Sequence, residues 1–123
     1  MCIAVVLWAG CSNKLSSELD LNGEKVKLTA CRNGIVYGFR GVELTAENGT
    51  RLRIAATPTG EAEVVVMPSG AAKGDRLGNC GTFEIADQNS EIDKVKNVEG
   101  RATFDCKATG FTLKGSASFG NCH

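Results

Sequence analysis

The sequence has little of what enzyme active sites need. Its single histidine is His123, at the very end, where a chain is usually frayed. A site of the Ser-His-Asp or Cys-His type needs a base that is held inside a pocket, and a terminal histidine does not meet that requirement. The carboxylates are scattered singly, near basic residues, rather than in pairs. We therefore expect no enzyme activity, and a small hydrolase is the least favoured hypothesis.

Motifs for cofactors and metals are also missing. The sequence contains no G-x-x-x-x-G-K-[ST] phosphate loop and no H-E-x-x-H metal motif. No two cysteines have the C-x-x-C spacing of a zinc site. We expect neither a cofactor nor a bound metal ion.

No charge of one sign predominates, since 14 basic residues balance 14 acidic residues. A net charge near zero provides no electrostatic attraction for nucleic acid or for anionic lipid. Aromatic residues make up 6% of the chain, too few for a platform on which bases or sugars stack. Nucleic acid is therefore not an expected partner.

No apolar run reaches the roughly 20 residues that a transmembrane helix needs. The longest run, Cys2 to Gly10, carries no charge and ends in the small pair Ala9-Gly10 just before Cys11. This pattern is typical of the end of a bacterial lipoprotein signal, in which a peptidase cuts after small residues and the cysteine becomes the lipidated first residue. We expect a truncated signal segment over residues 1–10 and a lipidated tether over residues 11–15.

The signal departs from a complete leader in two ways. None of the ten residues before Cys11 is Lys or Arg, although a basic segment normally precedes the apolar one. Trp8 also occupies the position where the cleavage motif usually has Leu. Either the chain starts internally, with its basic segment upstream, or residues 2–10 form an apolar first strand of the fold.

Residues 16–123 predict one domain of β-strands. Fifteen Gly, only two Pro and no long helical period are typical of short strands joined by tight turns. We expect an antiparallel β-sandwich or open barrel of about eight strands, present as a monomer. The clearest turn is Asn22-Gly23, which suits a two-residue type I′ hairpin. That hairpin pairs Leu21 with Glu24, Asp20 with Lys25, Leu19 with Val26 and Glu18 with Lys27.

A second hairpin, Val42 to Thr57, turns at Glu47-Asn48-Gly49. Before it, Arg32-Asn33-Gly34 predicts a turn and residues 35–39 a short strand. The hairpin has a three-residue loop in which Gly49 takes the left-handed conformation. This loop pairs Leu44 with Leu52, Val42 with Ile54 and Glu43 with Arg53.

The middle of the chain predicts a central strand followed by a long loop. Glu61 to Met67 predicts a strand, and its run Val64-Val65-Val66 is apolar on both faces, as in the middle of a sheet. Pro68 to Asn79 is rich in small residues, and loops of about 12 residues in compact domains are often functional. The candidate binding residues in this loop are Lys73, Asp75 and Arg76.

The last third of the chain predicts two further strand pairs. Strands over 82–86 and 98–106 flank a polar connection, 87–97, in which one turn of helix could form. A four-residue turn over 107–110 then places Cys106 opposite Phe111. We expect one face of this last hairpin at the centre of the core. That face carries Ala102, Phe104, Phe111, Leu113, Ala117 and Phe119.

Cysteine spacing predicts two disulfides. Four cysteines follow Cys11, and an even number in a small exported domain is typical of disulfide pairing. A hairpin centred near Asp93 places Cys80 opposite Cys106, whereas Cys106 and Cys122 lie far apart in the predicted register. The predicted disulfides are Cys80–Cys106 and Cys31–Cys122.

Two segments, LDLNGEKVKLTAC and VEGRATFDC, carry a resemblance to a known family. With its Asn-Gly hairpin, early cysteine, G-x-A-x-F strand and terminal cysteine, the chain resembles small β-sandwich lipoproteins of bacterial envelopes, such as the LpqH-like mycobacterial lipoprotein antigens. The resemblance covers residues 16–122 in outline. It implies a surface-anchored sandwich without an assigned catalytic activity, and it transfers no functional residue.

These patterns together predict a non-catalytic lipoprotein of a bacterial cell envelope, either structural or ligand-binding. We expect its lipid on Cys11, and Ser12 fits delivery to an outer membrane if the cell has two membranes. Its expected partner, besides the membrane, is a protein or a small ligand of unspecified kind. The alternative is an inhibitor of an extracellular enzyme that acts through loop 68–80.

Overall fold

The computed structural model of the protein describes residues 13–36, 38–92, 95–108 and 110–123. The expected signal segment 1–10 lies outside these ranges, as do the alternative first strand over 2–10 and the expected lipidation site Cys11. Within the ranges the chain forms nine β-strands and no helix. No helix of the described part is long and apolar enough to span a membrane.

The strands follow one another closely along the chain. In chain order they are β1 (Lys14–Leu21), β2 (Glu24–Val26), β3 (Leu28–Val36), β4 (Phe39–Ala46), β5 (Arg51–Ala56), β6 (Glu61–Met67), β7 (Asp75–Ile92), β8 (Val95–Ala108) and β9 (Phe111–Cys122). The first strand therefore includes residues 14 and 15 of the expected tether.

All nine strands form one antiparallel sheet in the order β2-β1-β9-β8-β7-β6-β5-β4-β3. The sheet curls so far that β3, at one edge, packs against β1 and β9 near the other edge. The architecture is therefore a nearly closed barrel. The expected fold, an all-β antiparallel sandwich or open barrel, is confirmed, and so are the disulfides Cys31–Cys122 and Cys80–Cys106.

A single bent stretch of chain connects the two edges of the sheet. Residues 24–26 pair with β1, and after Lys27 alone the chain continues as β3, which pairs with β4. The Lys27 carbonyl accepts a hydrogen bond from the Glu47 amide at the end of β4, 2.8 Å away. At this corner the edges of the sheet are joined by one residue of backbone.

The first two predicted hairpins have the predicted turns. Asn22 and Gly23 have φ of 54° and 85°, and the first three pairs of that hairpin are confirmed. Gly49 has φ of 90°, and all three predicted pairs between β4 and β5 are confirmed. The fourth pair of the first hairpin is wrong, because the chain leaves β1 after Val26. Glu18 of that predicted pair has a partner only on the other side of β1, where it lies opposite Ser116 of β9.

The predicted turn at Arg32-Asn33-Gly34 is wrong. β3 continues through it to Val36, which pairs with Phe39 of β4. Phe39 therefore begins the next strand instead of ending the predicted strand over 35–39. The ladder to β4 satisfies these backbone groups, and this tertiary pairing outweighs the local preference of Asn-Gly for a turn.

The strand Glu61–Met67 has the predicted bounds, and every residue from Ala62 to Met67 is buried, as expected in mid-sheet. The predicted loop is shorter than expected, because β7 begins at Asp75 and pairs with Val66 of β6. A paired strand leaves fewer backbone groups unsatisfied than a long loop over the surface of β6. The loop between the two strands is residues 68–74.

The predicted polar connection over 87–97, with its turn of helix, is also wrong. β7 extends to Ile92 and β8 begins at Val95, so the two strands form one long hairpin. In the last hairpin the predicted register is shifted by two residues, since Cys106 lies opposite Leu113. An even shift keeps every side chain on its predicted face, because side chains alternate with a period of two. Of the predicted inward residues, Phe111 is half-buried against the core, and the other five are buried: Ala102, Phe104, Leu113, Ala117 and Phe119.

The core aromatic Phe104 lies between two glycines. Gly81 of β7 stands opposite it on one side, and Gly115 of β9 on the other. A Cβ on Gly115 would lie 1.8 Å from the Glu18 carbonyl oxygen, and the φ of Gly115 is 125°. Only glycine permits this backbone geometry and this approach. The neighbouring strand backbones therefore approach each other closely around Phe104. The Phe104 ring occupies the space that side chains at the two glycine positions would otherwise fill.

Candidate functional site

The two ends of the barrel carry different turns. The mouth end is the one where β1 begins and β9 finishes, and it also carries the β3–β4, β5–β6 and β7–β8 turns. The loop end carries the β1–β2, β4–β5, β6–β7 and β8–β9 turns. The two ends also differ in their exposed side chains.

The predicted binding residues lie at the loop end, but they do not share one loop. Lys73 is exposed in loop 68–74, whereas Asp75 and Arg76 belong to β7. Arg76 Nε donates a hydrogen bond to the carboxylate of the buried Glu63. Of the three candidates, Arg76 therefore has a structural partner, while Lys73 and Asp75 project into solvent.

Loop 68–74 is held against its neighbours. Arg51 Nη2 donates to the Ala71 carbonyl at 3.3 Å. A Cβ on Gly49 would lie 2.4 Å from Ser69 Oγ, so the loop packs directly on the β4–β5 turn. The composition of the predicted loop gave no sign of these contacts, because they depend on which strands are neighbours in the sheet.

Four charged residues and one valine form a row that crosses the outer face from β3 to β7. Its members, in register, are Arg32, Glu43, Arg53, Val65 and Arg76. Glu43 accepts a hydrogen bond from Arg53 Nε at 2.9 Å and pairs with Arg51 Nη1 at 3.7 Å. Exposed pairs of this kind contribute roughly 0–1 kcal/mol each. The charged side chains of the row therefore keep the outer face in contact with water and add little to stability.

The mouth end contains a groove between two projecting hairpins. The β3–β4 hairpin forms one wall and the β7–β8 hairpin the other, and an ion pair between Arg40 and Asp87 joins the walls. The groove has a volume of about 660 Å³. Its lining includes Asn33, Ile35, Val95, Lys96 and His123.

The packed end of the core lies beneath the residues that line the groove. Cys31 lies two residues below Asn33 on β3, and Val98 lies two residues below Lys96 on β8. Both Cys31 and Val98 are buried, and a disulfide joins Cys31 to the buried Cys122. The mouth therefore offers a surface for contact above the buried core.

The mouth end also carries the exposed large apolar side chains of the described part of the chain. Ile35 is 72% exposed, Val95 45% and Phe39 40%. All three lie at the tips of the β3–β4 and β7–β8 hairpins. Ile35 and Val95 both line the groove, and exposed apolar side chains that are grouped in this way commonly mark a contact site. The sequence indicated an apolar strand over 35–39 but not that its end would project from the barrel.

A polar network fixes the start of β1 at the mouth end. Asn13 Nδ2 donates to the Asn121 carbonyl at 2.9 Å, and the Cys31 amide donates to Asn13 Oδ1 at 3.0 Å. The Asn121 amide donates to Gln88 Oε1 at 2.8 Å. Asn13 thus connects β3 to β9 beside the Cys31–Cys122 bond, and the chain enters the fold at a defined place.

The described residues contain two surface features that could serve a function, the apolar mouth and loop 68–74, and they lie at opposite ends of the barrel. No group of three His, Cys, Asp or Glu side chains in the described part could hold a metal ion. Comparisons of the chain with models of protein families, with curated proteins and with solved structures found no match.

Proposed function

We propose that the protein is a non-catalytic component of a bacterial cell envelope, anchored by lipid on Cys11 and structural or ligand-binding in role. The observation that carries the proposal is the pair of disulfides. Cys31 and Cys122 have Cα atoms 5.2 Å apart, and those of Cys80 and Cys106 are 5.0 Å apart. Disulfides form and persist in oxidising environments outside the cytoplasm, which supports export.

The start of the fold is compatible with a lipid anchor. β1 begins at Lys14, so a cut before Cys11 would remove none of the nine strands. The uncharged run that ends in Ala9-Gly10 before Cys11 supports the same interpretation, as does the resemblance to LpqH-like lipoproteins. Acylation with more than one chain would then hold the domain stably at a membrane.

Packing supports a role without catalysis. The interior is filled by apolar side chains, among them Phe83 and Phe119, whose ring centroids lie 5.9 Å apart. Glu63 is the buried carboxylate of the described residues, and it pairs with Arg76. Binding through an exposed surface suits this arrangement better than chemistry in an enclosed site.

Lipidation is tested by the intact mass of the native protein and its partition between detergent and aqueous phases. We expect a mass equal to residues 11–123 plus lipid, and recovery in the detergent phase. Cys11→Ala should move the protein to the aqueous phase, because it removes the acceptor thiol, while Cys2→Ala should have no effect. A wild-type mass equal to the full unlipidated chain would contradict the anchor.

The second candidate function is inhibition of an extracellular enzyme through the segment 68–80, of which residues 68–74 form the loop. Its support is that the exposed Lys73 lies at the loop end, opposite the end at which Asn13 enters the fold. A loop in that position would point away from an anchoring membrane.

Loop function is tested by deleting residues 71–73, with Lys107→Ala as a control at the same end of the barrel. If the loop binds an enzyme, inhibition of extracellular hydrolases should be lost in the deletion variant and kept in the control, with little change in Tm. Unchanged inhibition, or the absence of inhibition by the wild type, would exclude this function.

A further inference from the structure

We infer that the mouth end of the barrel lies directly on the membrane, with Ile35, Phe39 and Val95 in contact with lipid. The inference rests on the proposed anchor at Cys11 and adds the orientation of the domain and the function of its exposed apolar tips. Lipid is the partner that these tips would contact.

The first step is the short reach of the anchor. Asn13 is fixed at the mouth end by its hydrogen bonds to the Cys31 amide and the Asn121 carbonyl. Cys11 is two residues before Asn13, and two residues of extended chain span at most about 7 Å. A lipidated Cys11 would therefore hold the mouth end close to the membrane surface.

The second step is the projection of the β3–β4 hairpin beyond that anchor. Cys31, which is bonded to Asn13, lies four residues before Ile35 on a strand that runs outward. Four residues of strand span about 13 Å. A strand tilt of about 40° still leaves about 10 Å along the barrel axis. The tip with Ile35 and Phe39 thus extends farther from Asn13 than Cys11 can.

The β7–β8 hairpin projects in the same direction. Val95 lies three residues beyond Val98, and Val98 stands opposite Cys122 at the end of β9. Three residues of strand add about 10 Å before tilt is considered. Both walls of the groove would therefore reach the membrane together when the anchor is inserted.

The side chains at these tips suit the interface of a bilayer. Ile35, Phe39 and Val95 are exposed in water, and their transfer to lipid is favourable by roughly 25 cal/mol per Å² of apolar surface. Lys96, next to Val95, can extend its ammonium group to the phosphate level while its stem lies along apolar surface. The loop end shows no exposed large apolar residue among those described. The mouth end is therefore the better suited of the two to contact lipid.

The orientation is tested with single-tryptophan probes on the native lipidated protein. Trp8 is the only tryptophan of the chain, and it would leave with the signal segment. Phe39→Trp and Ile35→Trp place a probe at the mouth end, and Lys107→Trp places a control at the loop end. Each lipidated variant is bound to vesicles of phosphatidylethanolamine and phosphatidylglycerol, with and without brominated acyl chains.

We expect the two mouth probes to shift to shorter emission wavelength on vesicles and to lose most of their fluorescence to brominated chains. The control probe should show neither change. Equal quenching of all probes, or none, in a protein whose mass confirms the lipid would overturn the orientation and leave the anchor intact. A blue shift without quenching would assign the tips to a second copy of the chain and would also overturn it. A mass without lipid would overturn the proposed function and the orientation together.

Discussion

Replacing Cys31 and Cys122 together by alanine should lower the free energy of unfolding by about 4–5 kcal/mol. The bond joins residues separated by 91 positions, so it removes much of the freedom of the unfolded chain. It also ties β3 to β9, which are not neighbours in the sheet, at the seam where the barrel closes. Both cysteines are buried, so the substitutions disturb packing as well.

The matched control is the double substitution of Cys80 and Cys106. Their separation is 26 positions, and β7 and β8 already pair along their length, so the loss should be smaller by about 1 kcal/mol. Equilibrium unfolding in urea without reductant measures both variants. Equal losses, or a larger loss for the second pair, would contradict the role of the Cys31–Cys122 bond in closing the barrel.

Phe104→Ala should destabilise the protein by about 3–5 kcal/mol, the usual range for deleting a buried aromatic ring. The value should lie high in this range, because Phe104 stands between Gly81 and Gly115, which have no side chains to fill the cavity. The strands cannot close over it either. A Cβ on Gly81 would lie 1.8 Å from the Thr103 carbonyl oxygen, so the backbones are already in contact.

Phe39→Ala serves as the control, because it also removes a phenyl ring, but at the mouth end, where Phe39 is 40% exposed. Its expected loss is below about 1 kcal/mol. Urea unfolding of both variants gives the comparison. A loss of less than about 2 kcal/mol for Phe104→Ala would show that the core can collapse around the missing ring, contrary to the glycine contacts.

The parts of the fold that could be predicted from the sequence are those fixed within one hairpin. At Asn22-Gly23 and at Gly49, positive φ sets the turn, and alternation of apolar residues sets the faces of the strands. The pairing of Cys80 with Cys106 was predictable for a similar reason. β7 and β8 form one long hairpin, and its pair Gly81–Phe104 brings Cys80 close enough to Cys106 for the disulfide, although the predicted strand ends were wrong.

Strand ends were mispredicted where a neighbouring strand decided the outcome. Gly34, in the predicted turn, is extended because β4 runs alongside β3 to its tip. Asp75 and Arg76 belong to a strand because Val65 and Val66 offer free backbone groups beside them. Local composition marks these segments as polar and flexible, but pairing partners far along the chain determine their structure.

The apolar mouth could not be predicted from the sequence. It depends on two hairpins that project at the same end, and their meeting is visible only in the order of the strands around the barrel. Arg40 and Asp87, which join the two hairpins, are 47 positions apart. No local pattern marks them as partners, because long-range pairing depends on the global arrangement of the sheet.

The position of β1 beside β9 determines how the chain can fold. Strands β3 to β9 each pair with the next strand in the sequence, so this seven-stranded meander can form by local steps. β1 is made early during synthesis, but it must wait for the last strand before its eight residue pairs with β9 can form. Contacts so distant in sequence form slowly. Until then the apolar side chains of β1 are not packed in the core; these are Leu15, Leu19 and Leu21. The unpaired edge of the meander is the place where association with a second chain would compete with folding.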